Sequence, residues 1–166
     1  MKLRIILAAT ALGAVAAPAA WAQTPPIEGG TIVGGNAPSF LELTLSQPKA
    51  GLSTFPRART YTTSFDAMVT TTDETALLTV ADGDAASGSR LGRMASGSKR
   101  LPQPLEARVG RSAFQSLAQS VDPLLARWSE PSTRSKTTVQ LRQKVTAKTS
   151  GSYRKLVLVT LSTETP

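Results

Sequence analysis

The chain has no cysteine and no histidine among its 166 residues. Histidine is the side chain that most often serves as general base, proton shuttle or imidazole ligand near neutral pH. With cysteine missing as well, zinc, copper and haem sites lose their usual ligands. Neither a metal nor a cofactor is expected. Disulfides, which help many small exported domains, are excluded, so stability has to come from packing alone. Aromatic residues are also few, with 2 Trp, 2 Tyr and 4 Phe. So little stacking surface disfavours nucleic acid as a ligand despite the basic charge. No internal repeat of fixed period is visible.

What is present begins at the amino terminus. Lys2 and Arg4 precede an apolar run from Ile5 to Ala20, which closes on Ala20-Trp21-Ala22. Basic start, short apolar segment and small-x-small site together read as a secretory signal peptide over residues 1–22, cut before Gln23. The run is shorter than the roughly 20 apolar residues that a spanning helix needs, and no second one follows, so the mature chain is expected to carry no transmembrane segment. The expected location is extracellular or cell-surface, or periplasmic in a Gram-negative cell. Residues 23–38 combine Pro25-Pro26, Gly29-Gly30, Gly34-Gly35 and Pro38, a leader that disfavours regular structure. Residues 39–166 are expected to form one domain.

The net charge of +8 is unevenly placed. Residues 23–85 hold three basic and seven acidic residues, whereas residues 86–166 hold fourteen basic and four acidic. Such asymmetry suits a surface that meets an anionic polymer or an oppositely charged protein. Interleaving of the two halves in one fold explains the same numbers by mixing the charges.

Beyond residue 38 the apolar residues mostly recur at every second position, the period of a strand with one buried face. Phe40 to Leu45, Thr60 to Thr70, Ala76 to Ala81, Leu101 to Val109, Leu124 to Trp128, Thr137 to Ala147 and Ser152 to Ser162 read as strands. In the second, Tyr61, Phe65, Ala67 and Val69 face inward; in the sixth, Val139, Leu141 and Val145 do so. Ala85 to Ser98 reads as a long mobile loop with Leu91 and Met94 its only sizeable apolar groups. Ser112 to Val121 reads as a short helical turn carrying Phe114, Leu117 and Val121 on one face, stopped by Pro123. Thr149-Ser150-Gly151 reads as a hairpin into the last strand, whose apolar residues on both faces suit a central position or a partner surface. About seven strands with one long loop predict an all-β fold, a two-sheet antiparallel β-sandwich of the Ig-like kind.

Several short matches carry little chemistry. Ile32-Val33-Gly34-Gly35 resembles the new amino terminus of an activated trypsin-like protease, but that mechanism needs a histidine. Ser152-Tyr153-Arg154-Lys155 fits S-x-x-K, yet on a strand a spacing of three points the two side chains to opposite faces. Asp82-Gly83-Asp84, near Asp73-Glu74, supplies oxygens of the type calcium uses, but Asp and Gly are also what a tight turn requires. Arg90, Arg93, Lys99 and Arg100, in or beside the long loop, are the candidate ligand-binding residues, since guanidinium and ammonium groups hold phosphate or carboxylate.

Leu43-Thr-Leu-Ser-Gln-Pro, Ala76-Leu-Leu-Thr-Val-Ala-Asp82, Leu101-Pro-Gln-Pro-Leu105, and Gly151-Ser-Tyr153 leading into Val159-Thr-Leu-Ser-Thr163 together resemble secreted bacterial β-sandwich proteins of the actinobacterial type, mostly of unknown function. The Gly-x-Tyr ending and terminal Pro166 are similar to the last strand of WxL cell-wall-binding domains. The chain itself has no Trp-x-Leu, and Trp128 stands in Arg127-Trp128-Ser129. The resemblance implies a sandwich fold and an envelope location. The expected role is that of a non-catalytic envelope-associated binding protein that contacts an anionic envelope polymer or an envelope protein. The alternative is a structural subunit of an extracellular fibre or matrix, self-associating by strand addition. A hydrolase using carboxylates alone needs no histidine but would need a cleft between its acids.

Overall fold

The computed structural model describes residues 38–84 and 87–163. The expected signal peptide, the leader up to residue 37, the Ile32–Gly35 match and Pro166 lie outside the described residues. Within them run strands β1 (Leu41–Leu45), β2 (Arg59–Thr71), β3 (Ala76–Asp82), β4 (Ala95–Ser96), β5 (Lys99–Arg100), β6 (Leu105–Val109), β7 (Gln115–Ser116), β8 (Leu124–Trp128), β9 (Ser132–Val145) and β10 (Val157–Ser162). One sheet has the order β1-β2-β9-β6-β7 and the second β10-β3-β8, while β4 and β5 form a separate ribbon. All pairings are antiparallel. Seven strands have five residues or more, four in one sheet and three in the other, which is the division of an Ig-like sandwich, although the pairing order is this chain's own.

Period-two alternation sets which face is buried. On β2, Phe65, Ala67 and Val69 enter the core together with Thr63, and on β9 Val139, Leu141 and Val145 do so together with Gln143. The two strands pair from Arg59↔Val145 to Thr71↔Ser132, with a bulge after Val69. Leu78 and Val80 of β3 and Leu105 and Ala107 of β6 complete the interior. Phe55, from the connection between β1 and β2, is buried as well, and its ring meets Tyr61 edge-on at 5.0 Å. Each buried Val, Leu or Phe among them contributes roughly 1.5–3 kcal/mol.

Three expectations are corrected. The 85–98 stretch is not simply a loop: it holds a 3-10 turn at Gly88–Arg90 and then β4, which turns at Gly97 (φ 59°) into β5 and buries Met94. The 112–121 helical turn is absent. Leu117 is buried, but Val121 is exposed and the Phe114 ring is met by the guanidiniums of Arg108 and Arg142, at 4.3 and 3.8 Å from its centroid. Cation–π contact, not a helical face, explains its place. Finally, residues 149–151 make no hairpin, because β9 and β10 belong to different sheets. The connecting chain pairs instead with the β1–β2 connection, Thr149 N–H donating to Phe55 O at 3.2 Å and Tyr153 N–H to Ser53 O at 2.7 Å.

Among the described residues the last strand is an edge and not a centre, β10 bonding only to β3 within its sheet. Its inner residues Val157 and Val159 pack on the core, and its outer Leu158 is 54% exposed. Val159→Asp is expected to lower stability by about 1–3 kcal/mol, the cost of half-burying an unpaired polar group. Leu158→Asp should stay within about 0.5 kcal/mol. Urea unfolding midpoints of the two variants check the assignment of faces.

Candidate anion-binding site

Asp82 ends β3, and its carboxylate organises everything around it. Oδ1 accepts the N–H of Asp84 at 3.0 Å, the self-bonded turn that Asp-Gly-Asp favours. Oδ2 accepts the N–H of Gly92 at 2.6 Å, which ties the middle of the 85–98 segment to the sheet. Gly92 has φ 69°, and a Cβ on it would lie 2.5 Å from the Ala118 nitrogen, so both backbone conformation and space require glycine there.

Lys155 reaches the same carboxylate. It precedes β10 and has the inward parity of Tyr153 and Val157, and its ammonium forms an ion pair with Asp82 Oδ1 and another with Asp84 Oδ2 at 3.1 Å. The side chains of Lys155 and Asp82 are each 2% exposed. Burial by itself would raise the Asp82 pKa, but hydrogen bonds from Lys155, Gly92 and Asp84, together with the lysine charge, more than offset it and hold the carboxyl below its ordinary value. The carboxylates of the Asp82–Gly83–Asp84 turn are thus engaged by one ammonium and three amides, the third being the Leu156 N–H, which donates to Asp84 Oδ2 at 3.3 Å. Among the described residues no group of three or more metal-ligating side chains converges on a point. The S-x-x-K lysine is the one so engaged, while Ser152 is exposed.

A carboxylate whose folded pKa is depressed contributes stability above its unfolded pKa and loses it as pH falls through the folded value. Asp82 and the surface Asp66, lowered by hydrogen bonds from Lys136 and Thr138, act in the same sense. The melting temperature is expected to fall as pH drops below about 4. In an Asp82→Asn variant that acid dependence should be shallower, which differential scanning at stepped pH checks.

Above this buried pair lies a cavity of about 340 Å³. It is lined by Arg90, Arg93, Arg100, Arg154 and Lys155, with Asp84, Ser87 and Ala95. Ala95 and Arg154 exchange two backbone hydrogen bonds, 3.0 Å and 2.9 Å, so the ribbon is locked to the chain entering β10. Arg93 donates through Nη1 to the Pro102 carbonyl, and Arg100 through Nη1 to Ser98 O at 3.2 Å. Among the described residues the guanidiniums of Arg90 and Arg154 have neither ion pair nor hydrogen bond. Lys155 is already neutralised, so four arginines face one partly exposed carboxylate, Asp84. Guanidinium forks in this arrangement match the oxygens of a phosphate or carboxylate.

Three of the four sequence-predicted residues, Arg90, Arg93 and Arg100, thus meet at one cavity. Lys99 does not line it. In the two-residue β5 strand, neighbours point to opposite faces, so placing Arg100 at the cavity turns Lys99 away. Arg154 and Lys155 are the residues that sequence reasoning missed. The signal was available in the parity of the last strand, where a lysine at an inward position between Tyr153 and Val157 demands a buried acid.

Other basic groups are differently placed. On the outer face of the larger sheet Arg142 and Lys144 bond Glu106 at 2.6 and 3.5 Å, and Lys136 bonds Asp66 at 2.9 Å. Pairs such as Asp66–Lys136 and Asp82–Lys155 join the acidic half of the sequence to the basic half, so the two halves do interleave and the surplus of arginine at the cavity is local. No protein-family model matches the sequence, and no curated protein matches it either.

Proposed function

We propose that this chain is an exported, non-catalytic binding protein of the cell envelope that takes an anionic envelope component, a polymer or a protein segment, in the arginine-lined cavity. The observation that carries the reading is the convergence of Arg90, Arg93, Arg100 and Arg154, three from the 85–100 segment and one from the approach to β10, around a single depression holding one carboxylate. Export rests on Lys2, Arg4, the apolar run and the Ala20-Trp21-Ala22 site, and the envelope location on that and on the resemblance to secreted β-sandwich proteins.

Inorganic polyphosphate serves as a charge probe free of sugar or protein chemistry. Binding is expected to weaken about tenfold between roughly 50 and 150 mM salt, the release of a few counterions. Affinity that ignores salt contradicts the reading. A second reading, the fibre subunit, is favoured by one feature: among the described residues the outer edge of β10 is unpaired, and Leu156 and Leu158 beside and within it are 61% and 54% exposed. Size-exclusion chromatography over a concentration range separates the two. A ladder of assemblies supports strand addition, and a monomer supports binding.

A further inference from the structure

A second cavity lies against the first. It has a volume of about 250 Å³ and shares Arg154 and Lys155 with the arginine-lined one. Its other walls are different in kind: Leu52, Met94, Leu105, Leu141, Tyr153 and Val157 give it an apolar lining that reaches the buried residues between the two sheets. A strap over residues 48–52 forms one side. It is held by Lys49 N–H donating to Ser64 O at 2.9 Å and by Thr63 Oγ1, which accepts from the Ala50 N–H at 3.1 Å and donates to the Ala50 carbonyl at 2.7 Å. An apolar cavity of about 150 Å³ suffices to bind a benzene ring, so this one has room for a short hydrocarbon segment.

The two cavities meet at the Arg154–Lys155 step, both residues lining both of them. Lys155 is neutralised there by Asp82 and Asp84, so the charge presented at the junction belongs to Arg154. A purely ionic polymer would use the arginines and leave the apolar walls wet. A neutral hydrocarbon would leave the arginines unmatched. The group that satisfies both has an anionic head joined directly to an apolar chain. Several guanidiniums around one head favour phosphate over carboxylate, since a phosphate monoester brings nearly two charges and three acceptor oxygens.

Resting on the reading of the arginine cavity as an anion site, we infer that its ligand is a phosphate-headed amphiphile, with the phosphate among Arg90, Arg93, Arg100 and Arg154 and the first part of its hydrocarbon chain in the apolar cavity beneath the 48–52 strap. The charge fixes where the head sits, and the chain adds to the affinity of the head.

The test is a chain-length series of methyl, butyl, hexyl and octyl phosphate, titrated calorimetrically into the unmodified protein below their micellar concentrations, with polyphosphate and octanol alongside. Each methylene that leaves water should tighten binding about fourfold, until the cavity is full and the gain stops. Octanol should bind far more weakly than octyl phosphate. In a Leu52→Trp variant, which narrows the cavity, the dependence on chain length should flatten while polyphosphate binding is kept. If octyl phosphate binds the unmodified protein no better than methyl phosphate while polyphosphate still binds, the amphiphile inference is overturned and the anion site stands. Failure of both polyphosphate and every alkyl phosphate overturns the anion site too.

Discussion

Replacing Asp82 by alanine should lower the unfolding free energy by about 3–5 kcal/mol, the range for removing one partner of a buried ion pair. The reason lies in what stays behind. The Lys155 side chain is 2% exposed and would be left in the interior with, among the described residues, only Asp84, itself 46% exposed, paired to it. Gly92 would also lose the acceptor that ties the 85–98 segment to β3. Asp84→Ala should cost no more than about 1 kcal/mol, because its pairing is open to solvent. The double change Asp82→Leu with Lys155→Met should recover most of the stability lost in Asp82→Ala, since two well-packed apolar groups replace the pair without stranding a charge. Equilibrium urea unfolding of the four proteins measures the differences. A double variant as unstable as Asp82→Ala would mean that the bond to Gly92, and not the ion pair, holds this corner together.

The second large effect is on binding. Arg154→Ser is expected to weaken polyphosphate about tenfold or more, the loss of one hydrogen bond to a charged group. Its backbone bridge to Ala95 does not involve the side chain, so the melting temperature should be unchanged. Arg100→Ser should behave in the same way. Lys99→Ser, one residue away and outside the cavity lining, should change affinity little. The contrast between neighbouring cations separates a built site from general attraction to a basic surface, for which Lys99 and Arg100 would count equally.

Much of the sandwich was legible from alternation. The Phe65-Ala67-Val69 and Val139-Leu141-Val145 sets are buried as period two requires, because long strands in mid-sheet leave little choice of face. Short or irregular segments were harder. Phe114, Leu117 and Val121 have helical spacing, yet one stacks against two arginines, one is buried and one is exposed, since tertiary contacts override weak local preference. Apolar residues on both faces of the last strand suit a central place or a partner surface, and among the described residues it takes the edge, with its outer Leu158 open. Three site arginines stood out because they cluster in sequence, and Arg154 did not because only the bridge to Ala95 brings it near them. Asp-Gly-Asp looked like a turn and is one, but nothing local announced that a lysine more than seventy residues away would close on it.

Whether anions are held at the arginine cavity and not elsewhere on this basic chain is measured most directly by a nitrogen-15 amide shift map during titration with polyphosphate. The expected result is that shifts gather at Arg90, Arg93, Ala95, Arg100, Arg154 and Leu156, the backbone around the cavity. Shifts gathered instead at Arg108, Phe114 and Arg142, on the outer face of the larger sheet, or spread evenly over the arginines, would contradict it.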